Sequence, residues 1–164
     1  MSSLVPFPPP ADLPEFDISE LLQEVAEALD HESLRRRVPI EIDAPPYLMV
    51  HGERRQLQQV LFGLIGNALG SSPAGTQIVV TAVADEHGVE VEVADDRSES
   101  AELLVREGLA PVAGTGPMSW SEVQQIVAAC GARISVLGCA EGGLATTVDF
   151  PRLTNADAGS RKAA

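Results

Sequence analysis

A single carboxamide interrupts the most apolar helix-forming stretch of the chain. Asn67 is the one polar side chain between Val60 and Gly70. A buried amide must find hydrogen-bond partners, either in local backbone or in a ligand. A nucleotide is one candidate for that ligand. Asp95 closes a segment in which Val alternates with Glu, and it either binds a ligand donor or caps the loop behind it. Gly114-Thr115-Gly116 can bring backbone close to phosphate or simply turn the chain, and a lone Gly-x-Gly does not distinguish the two. Trp120, the lone tryptophan, is either a core anchor or a partner-binding hot spot.

Other reactive residue types form no constellation. His31 falls within the first predicted helix, and an exposed structural histidine is expected there. His51 and His87 fall in separate turns. Cys130 and Cys139 have a spacing that matches no metal or redox motif and are expected as free thiols. Arg35-Arg36-Arg37 is the one basic run and suits the negative end of a helix.

Composition bounds the partners. The 164 residues carry a formal net charge of −13, which disfavours nucleic acid and anionic membrane. Apolar residues make up 45% and aromatics 4%, so the core must be aliphatic. The N-terminus lacks the pattern of a secretory signal, and no apolar run approaches membrane-spanning length. A cytoplasmic protein is expected, with protein partners that present basic surfaces.

Five of the twelve prolines fall in residues 1–14, so residues 1–15 are expected to form a flexible leader. A helix should follow from Asp17 to the arginine run, with Asp17 as N-cap and Glu20 three residues on. Residues 39–42 and 47–50 read as short strands. Residues 53–69 form the central helix, whose buried face carries Leu57, Val60, Leu61, Leu64, Ile65 and Ala68. Residues 77–84 and 89–94 read as a hairpin, 100–107 as a possible short helix, and 133–137 with 144–150 as a second hairpin. Ser119 or Ser121 should cap the helix that ends at Gly131. The order predicts a two-layer α/β (α+β) sandwich, with three helices packed on one face of a mixed, mostly antiparallel sheet. The domain should span residues 16–153, with 154–164 as a disordered tail.

That order, together with FDISELLQEVAEAL, HGERRQLQQVLFGLIGNALGSSPAGTQIVVTA, VEVEVADD and GTG followed by IVAACGARISV and EGGLATTVDF, resembles the ATP-binding catalytic domain of sensor histidine kinases. The resemblance implies that Asn67 belongs to an asparagine box that holds Mg²⁺, that Asp95 reads adenine, and that Gly114 and Gly116 belong to the phosphate-binding lid. It also shows departures. The box's first asparagine falls at Gly63, its lysine at Gly70 and the neighbouring aromatic at Ser71. The glycines after the adenine aspartate are Arg97 and Glu99, and the last glycine box continues as Pro117-Met118-Ser119-Trp120.

The expectation is therefore a degenerate, pseudokinase-like module of two-component signalling with weak or no ATP binding. It would act on a protein partner such as a response regulator, kinase or transcription regulator. Arg97, Trp120 and the segment between Asp95 and Trp120 are the candidate interaction residues, with the first helix second. The alternatives are an ATP- and Mg²⁺-binding catalytic domain that phosphorylates a histidine on a separate chain, or a phosphotransfer or anti-sigma regulator.

Overall fold

The computed structural model describes residues 13–112 and 116–152. The elements run β1 (Glu15–Asp17), α1 (Ile18–Ala28), α2 (Asp30–Arg36), β2 (Ile40–Asp43), β3 (Met49–His51) and α3 (Arg54–Ser71). They continue as β4 (Ile78–Ala84), β5 (Gly88–Asp95), α4 (Ala101–Glu107), α5 (Trp120–Ala129), β6 (Arg133–Gly138) and β7 (Leu144–Pro151). Five strands form one sheet in the order β2-β4-β5-β7-β6, in which β2 lies parallel to β4 and the other neighbours pair antiparallel. β1 and β3 form a separate antiparallel ribbon.

Alternation decides which face is covered. Val89, Val91 and Val93 of β5 pair with Phe150, Val148 and Thr146 of β7, and all six are buried under the helices. The predicted apolar face of α3 is buried throughout, from Leu57 to Ala68. An aliphatic side chain taken wholly out of water stabilises the fold by ~1.5–3 kcal/mol, and the core is almost entirely of this kind. Residues between the inward ones point to the uncovered face of the sheet.

Asp17 links the ribbon to the helices. Its carboxylate accepts from the Ser19 backbone N–H and hydroxyl, and from the N–H groups of Tyr47 and Leu48. Tyr47 is held at φ 65°, a left-handed conformation that is costly for an aromatic residue. Burial pushes the Asp17 carboxyl up, but these hydrogen bonds together bring it below its ordinary value.

Among the described residues five helices stand, where three and a possible short fourth at 100–107 were expected. The first predicted helix divides at Leu29, whose φ −98° and ψ 2° break the helical path. Leu29 is fully buried, so the break turns the chain around a core side chain, a tertiary effect with no glycine or proline to announce it. The short helix at 100–107 is present as α4, capped by the Ser100 hydroxyl, which accepts from Leu103 N–H. Glu15, expected in the leader, pairs with His51 in β1. Residues 13 and 14 are tied as well, through Leu13 O to His51 Nδ1 and Pro14 O to Gly52 N–H. Residues 1–12 and 153–164, which carry most of the expected leader and the tail, lie outside the described residues.

Candidate functional site

Asp95 sits at the C-terminal end of β5 on the covered face, opposite Leu144 of β7, and is 7% exposed. Just beyond the strand the backbone turns, and Arg97 N–H donates to Asp95 Oδ1 at 3.0 Å, an Asx-type turn. The Arg97 side chain folds back into the protein and is 3% exposed. Its Nε and Nη2 donate to Asp95 Oδ2 at 2.9 and 2.7 Å, and its Nη1 donates to Asn67 Oδ1 at 2.8 Å. Asp95 Oδ1 also receives Leu144 N–H at 3.4 Å. The two side chains that the resemblance assigns to adenine and Mg²⁺ are therefore joined by a guanidinium from the same loop. A buried carboxylate–guanidinium pair with this many hydrogen bonds satisfies both charges internally.

The backbone closes behind the pair. Gly143 N–H donates to Arg97 O, and a Cβ at Gly143 would lie 2.1 Å from Asp95 O. At φ 91° that position is in any case reserved for glycine.

The segment after α4 packs down on α3. Leu109 and Met118 exchange backbone hydrogen bonds in an isolated bridge, and both are buried. A Cβ at Gly63 would approach Leu109 Cδ1 to 2.9 Å, and one at Gly66 would meet Val112 Cγ1 at 2.6 Å. The space beside Gly63, where the resemblance would put the first asparagine, is thus taken by leucine. Gly70 and Gly116 are open, with nothing within 4 Å of a Cβ. Gly114 lies outside the described residues.

The α5 N-terminus is also internally filled. Ser119 Oγ accepts from Glu122 N–H, and Glu122 Oε2 accepts from Ser119 N–H at 2.7 Å, a complete capping box. The Glu122 carboxylate already provides the negative charge that a helix N-terminus attracts.

What remains open is shallow. A cleft of about 290 Å³ runs beside Asn67 between Glu32, Arg36 and Pro111, and another of about 220 Å³ lies between Asn67, Glu99 and Glu107. The larger cleft, about 540 Å³, is at the other end of the sheet, against Glu90, Arg133 and Asp149.

The interaction candidates Arg97 and Trp120 both lie inside the fold. Trp120 opens α5 and is 6% exposed, and Arg97 is more deeply buried still, so neither side chain offers a docking surface. Trp120 occupies the place of a core anchor, buried with the rest of the core at the first turn of α5. The arginine run is partly neutralised, since Glu32 accepts from both Arg35 and Arg36. Those bonds, Arg35 first, lower the Glu32 carboxyl to about 2.

His31 and His87 are exposed, while His51 is buried against Leu13 O. Cys130 and Cys139 are free thiols, and burial pushes the Cys130 thiol up. Among the described residues no group of three or more His, Cys, Asp or Glu side chains is placed to hold a metal ion. Nor is any described helix long and apolar enough to cross a membrane.

Sequence reasoning missed Leu109, Val112, Glu122 and the inward fold of Arg97. The Ser-x-x-Glu spacing of Ser119 and Glu122 carried the capping signal. The Asp-x-Arg spacing permitted the Asx turn without requiring it.

No protein-family profile and no curated protein matches the sequence. Solved structures do. The nucleotide-free catalytic domain of histidine kinase ThkA shares 22% identity over 85% of this chain and 95% of its own, with a TM-score of 0.71. The cytoplasmic segment of histidine kinase QseC shares 21% over 93% of this chain and 85% of its own, TM-score 0.67. The ATP-binding domain of PrrB from Mycobacterium tuberculosis shares 22% over 85% and 97%, TM-score 0.66. This chain has the fold of the histidine-kinase ATP-binding catalytic domain.

Proposed function

We propose that the chain is a pseudokinase-like module of two-component signalling, which works by binding a protein partner and binds ATP weakly or not at all. The observation that carries this reading is the Arg97 guanidinium buried between Asp95 and Asn67. A purine amino group would bind Asp95 by donating a hydrogen bond, and Arg97 already supplies such donors together with a full positive charge. Admitting the base requires expelling the guanidinium and leaving Asp95 without its cation. Breaking a buried pair in this way costs ~3–5 kcal/mol, which lowers affinity by roughly two to four orders of magnitude. Leucine beside Gly63 and the Glu122 cap on α5 work in the same direction, against a metal and against phosphate.

The fold itself favours a second reading, an ATP- and Mg²⁺-binding catalytic domain that phosphorylates a histidine on another chain. Its solved neighbours are catalytic or ATP-binding domains by name, and Asn67 and Asp95 are both present. In that reading Asn67 would hold Mg²⁺ and Asp95 the adenine, once Arg97 had swung out.

Calorimetric titration with Mg²⁺-ATP separates the two, with Trp120 fluorescence as an internal reporter of the lid. The expected result is no saturable binding below millimolar nucleotide. Saturation in the micromolar range would overturn the pseudokinase reading.

A further inference from the structure

The helices cover one face of the sheet and leave the other open. On that face, strand register arranges the side chains in three rows. The first runs Glu41, Val79, Ala94, Ala145 and Leu137. The second runs Asp43, Thr81, Glu92, Thr147 and Ser135, and the third runs Val83, Glu90, Asp149 and Arg133. The first row is therefore apolar from Val79 to Leu137, with Glu41 at its β2 edge, and the other carboxylates gather in the second and third rows.

The apolar row has the shape of a trough. Ala94 and Ala145 are short, while Val79 and Leu137 stand on either side, and Leu137 is 69% exposed. Five strands at ~4.8 Å spacing give a face ~19 Å across, the length of about thirteen residues of helix.

The acidic side has a chemical demand that the fold leaves unmet. Among the described residues five carboxylates, Glu41, Asp43, Glu90, Glu92 and Asp149, share the face with one cation placed there by strand register, Arg133. Among the described residues none of the five takes part in an ion pair. Glu90 and Asp149 stand directly opposite on adjacent strands, an arrangement that destabilises a sheet. Partial burial, and then the charges of Asp149, Glu92 and Asp85, push the Glu90 carboxyl above its ordinary value. The cleft of about 540 Å³ opens beside this row.

We infer that the open sheet face is the docking surface for a basic amphipathic helix of a protein partner, with aliphatic side chains in the Ala94–Ala145 trough and Lys or Arg over Glu90, Glu92 and Asp149. Charge complementarity selects this occupant. A second copy of the chain would set five carboxylates against five, and like-charge juxtaposition of this kind costs several kcal/mol. The inference rests on the reading of the chain as a protein-binding module and supplies the chemistry of the partner.

The probe is a synthetic helical peptide of ~18 residues, about five turns, with Leu on one face and Lys on the other. A matching peptide carries Gln in place of Lys. Binding is followed by calorimetry, and the site by NMR shift changes. The Lys peptide should bind with shifts concentrated on β4, β5, β7 and β6, and the Gln peptide should bind at least tenfold more weakly. Glu90→Lys with Asp149→Lys should weaken Lys-peptide binding at least tenfold. The same charge change on the helical side, Glu27→Lys with Glu107→Lys, should alter it less than twofold. Leu137→Ser, a mild change at an exposed position, should weaken it several-fold without altering the fold.

Absence of binding overturns the inference. So does equal weakening by the two charge pairs, which would mean unspecific attraction to an acidic protein, and so do shifts centred on α1 or the lid. A dimer in solution that Leu137→Ser dissociates would give the face to a second copy instead. Peptide binding together with micromolar ATP affinity would keep the docking face and remove the pseudokinase reading. Loss of peptide binding without ATP binding would do the reverse.

Discussion

Two carboxylate sites on the same pair of strands have opposite electrostatic fates. At one end of β5, Asp95 faces the helices, is buried, and has a guanidinium, two backbone donors and a closing glycine loop. Near the other end Glu90 faces the open side, directly opposite Asp149, and among the described residues no cation forms an ion pair with either. The Asp95 carboxylate is compensated by groups of its own chain. The Glu90 site has one cation in register, Arg133 opposite Asp149, and among the described residues no ion pair joins it to either carboxylate. A carboxylate turned toward the helices can thus be satisfied from within, while those on the open face form no ion pair among the described residues. The proposed partner chemistry follows from where charge remains uncompensated among the described residues.

The largest test of this contrast is Arg97→Met. Removing the cation leaves Asp95 buried without compensation, and the expected destabilisation is ~3–5 kcal/mol in urea or thermal unfolding. For a domain of this size that lowers Tm by roughly 2–4 °C per kcal/mol. Asp95→Leu combined with Arg97→Met should cost less than the sum of the single changes, because the pair is removed together. If Arg97→Met lowers stability by less than 1 kcal/mol, the pair is not a sealed unit and the contrast weakens.

Gly143→Ala probes the backbone seal over Asp95. The new methyl would lie 2.1 Å from Asp95 O, in a conformation at φ 91° that disfavours any side chain. A loss of ~2–4 kcal/mol is expected, large for a one-carbon change at a turn. Gly116→Ala, with nothing within 4 Å, serves as the neutral reference.

Much of the fold was legible because it follows from periodicity. The apolar face of α3 and the Val–Glu alternation of β5 are visible in residue order alone, and the structure buries and exposes them accordingly. The break at Leu29 was not legible, because the cause is a core position reached through tertiary packing. The candidate site was half legible. Residue types identified Asn67 and Asp95, and the loss of glycine at position 97 was plain. Whether the arginine there pointed to solvent or inward depends on the Asx turn and on the Gly143 loop, which is almost fifty residues away in sequence. The rows of the open face were hidden for a similar reason. Glu90 and Asp149 become neighbours only once β5 and β7 pair in register.

Asp17 is the intermediate case, a carboxylate satisfied by neutral donors alone. Asp17→Ala removes the α1 cap and leaves Tyr47 and Leu48 N–H without their acceptor, for an expected loss of ~1–2 kcal/mol. Since the folded state holds this carboxyl below its ordinary value, its contribution is complete above the unfolded pKa. It is lost as pH falls through the lower folded value. The difference between wild type and Asp17→Ala should therefore shrink as the solution is acidified.

The smallest effect has the opposite sign and sharpens the contrast most. Glu90 is held above its ordinary carboxyl value, so its charged form costs stability at neutral pH. That cost is relieved as pH falls through the raised folded value, where protonation removes the repulsion from Asp149. Glu90→Gln should accordingly stabilise the protein at pH 7 by a few tenths of a kcal/mol, the scale of a like-charge cross-strand pair. The gain should fade below the carboxylate range and in high salt, which screens an exposed pair. Thermal unfolding at pH 7 and pH 4, each at low and high salt, checks all three directions. A destabilised Glu90→Gln at pH 7 would mean that the acidic row is compensated within the fold. The two ends of β5 would then differ only in burial.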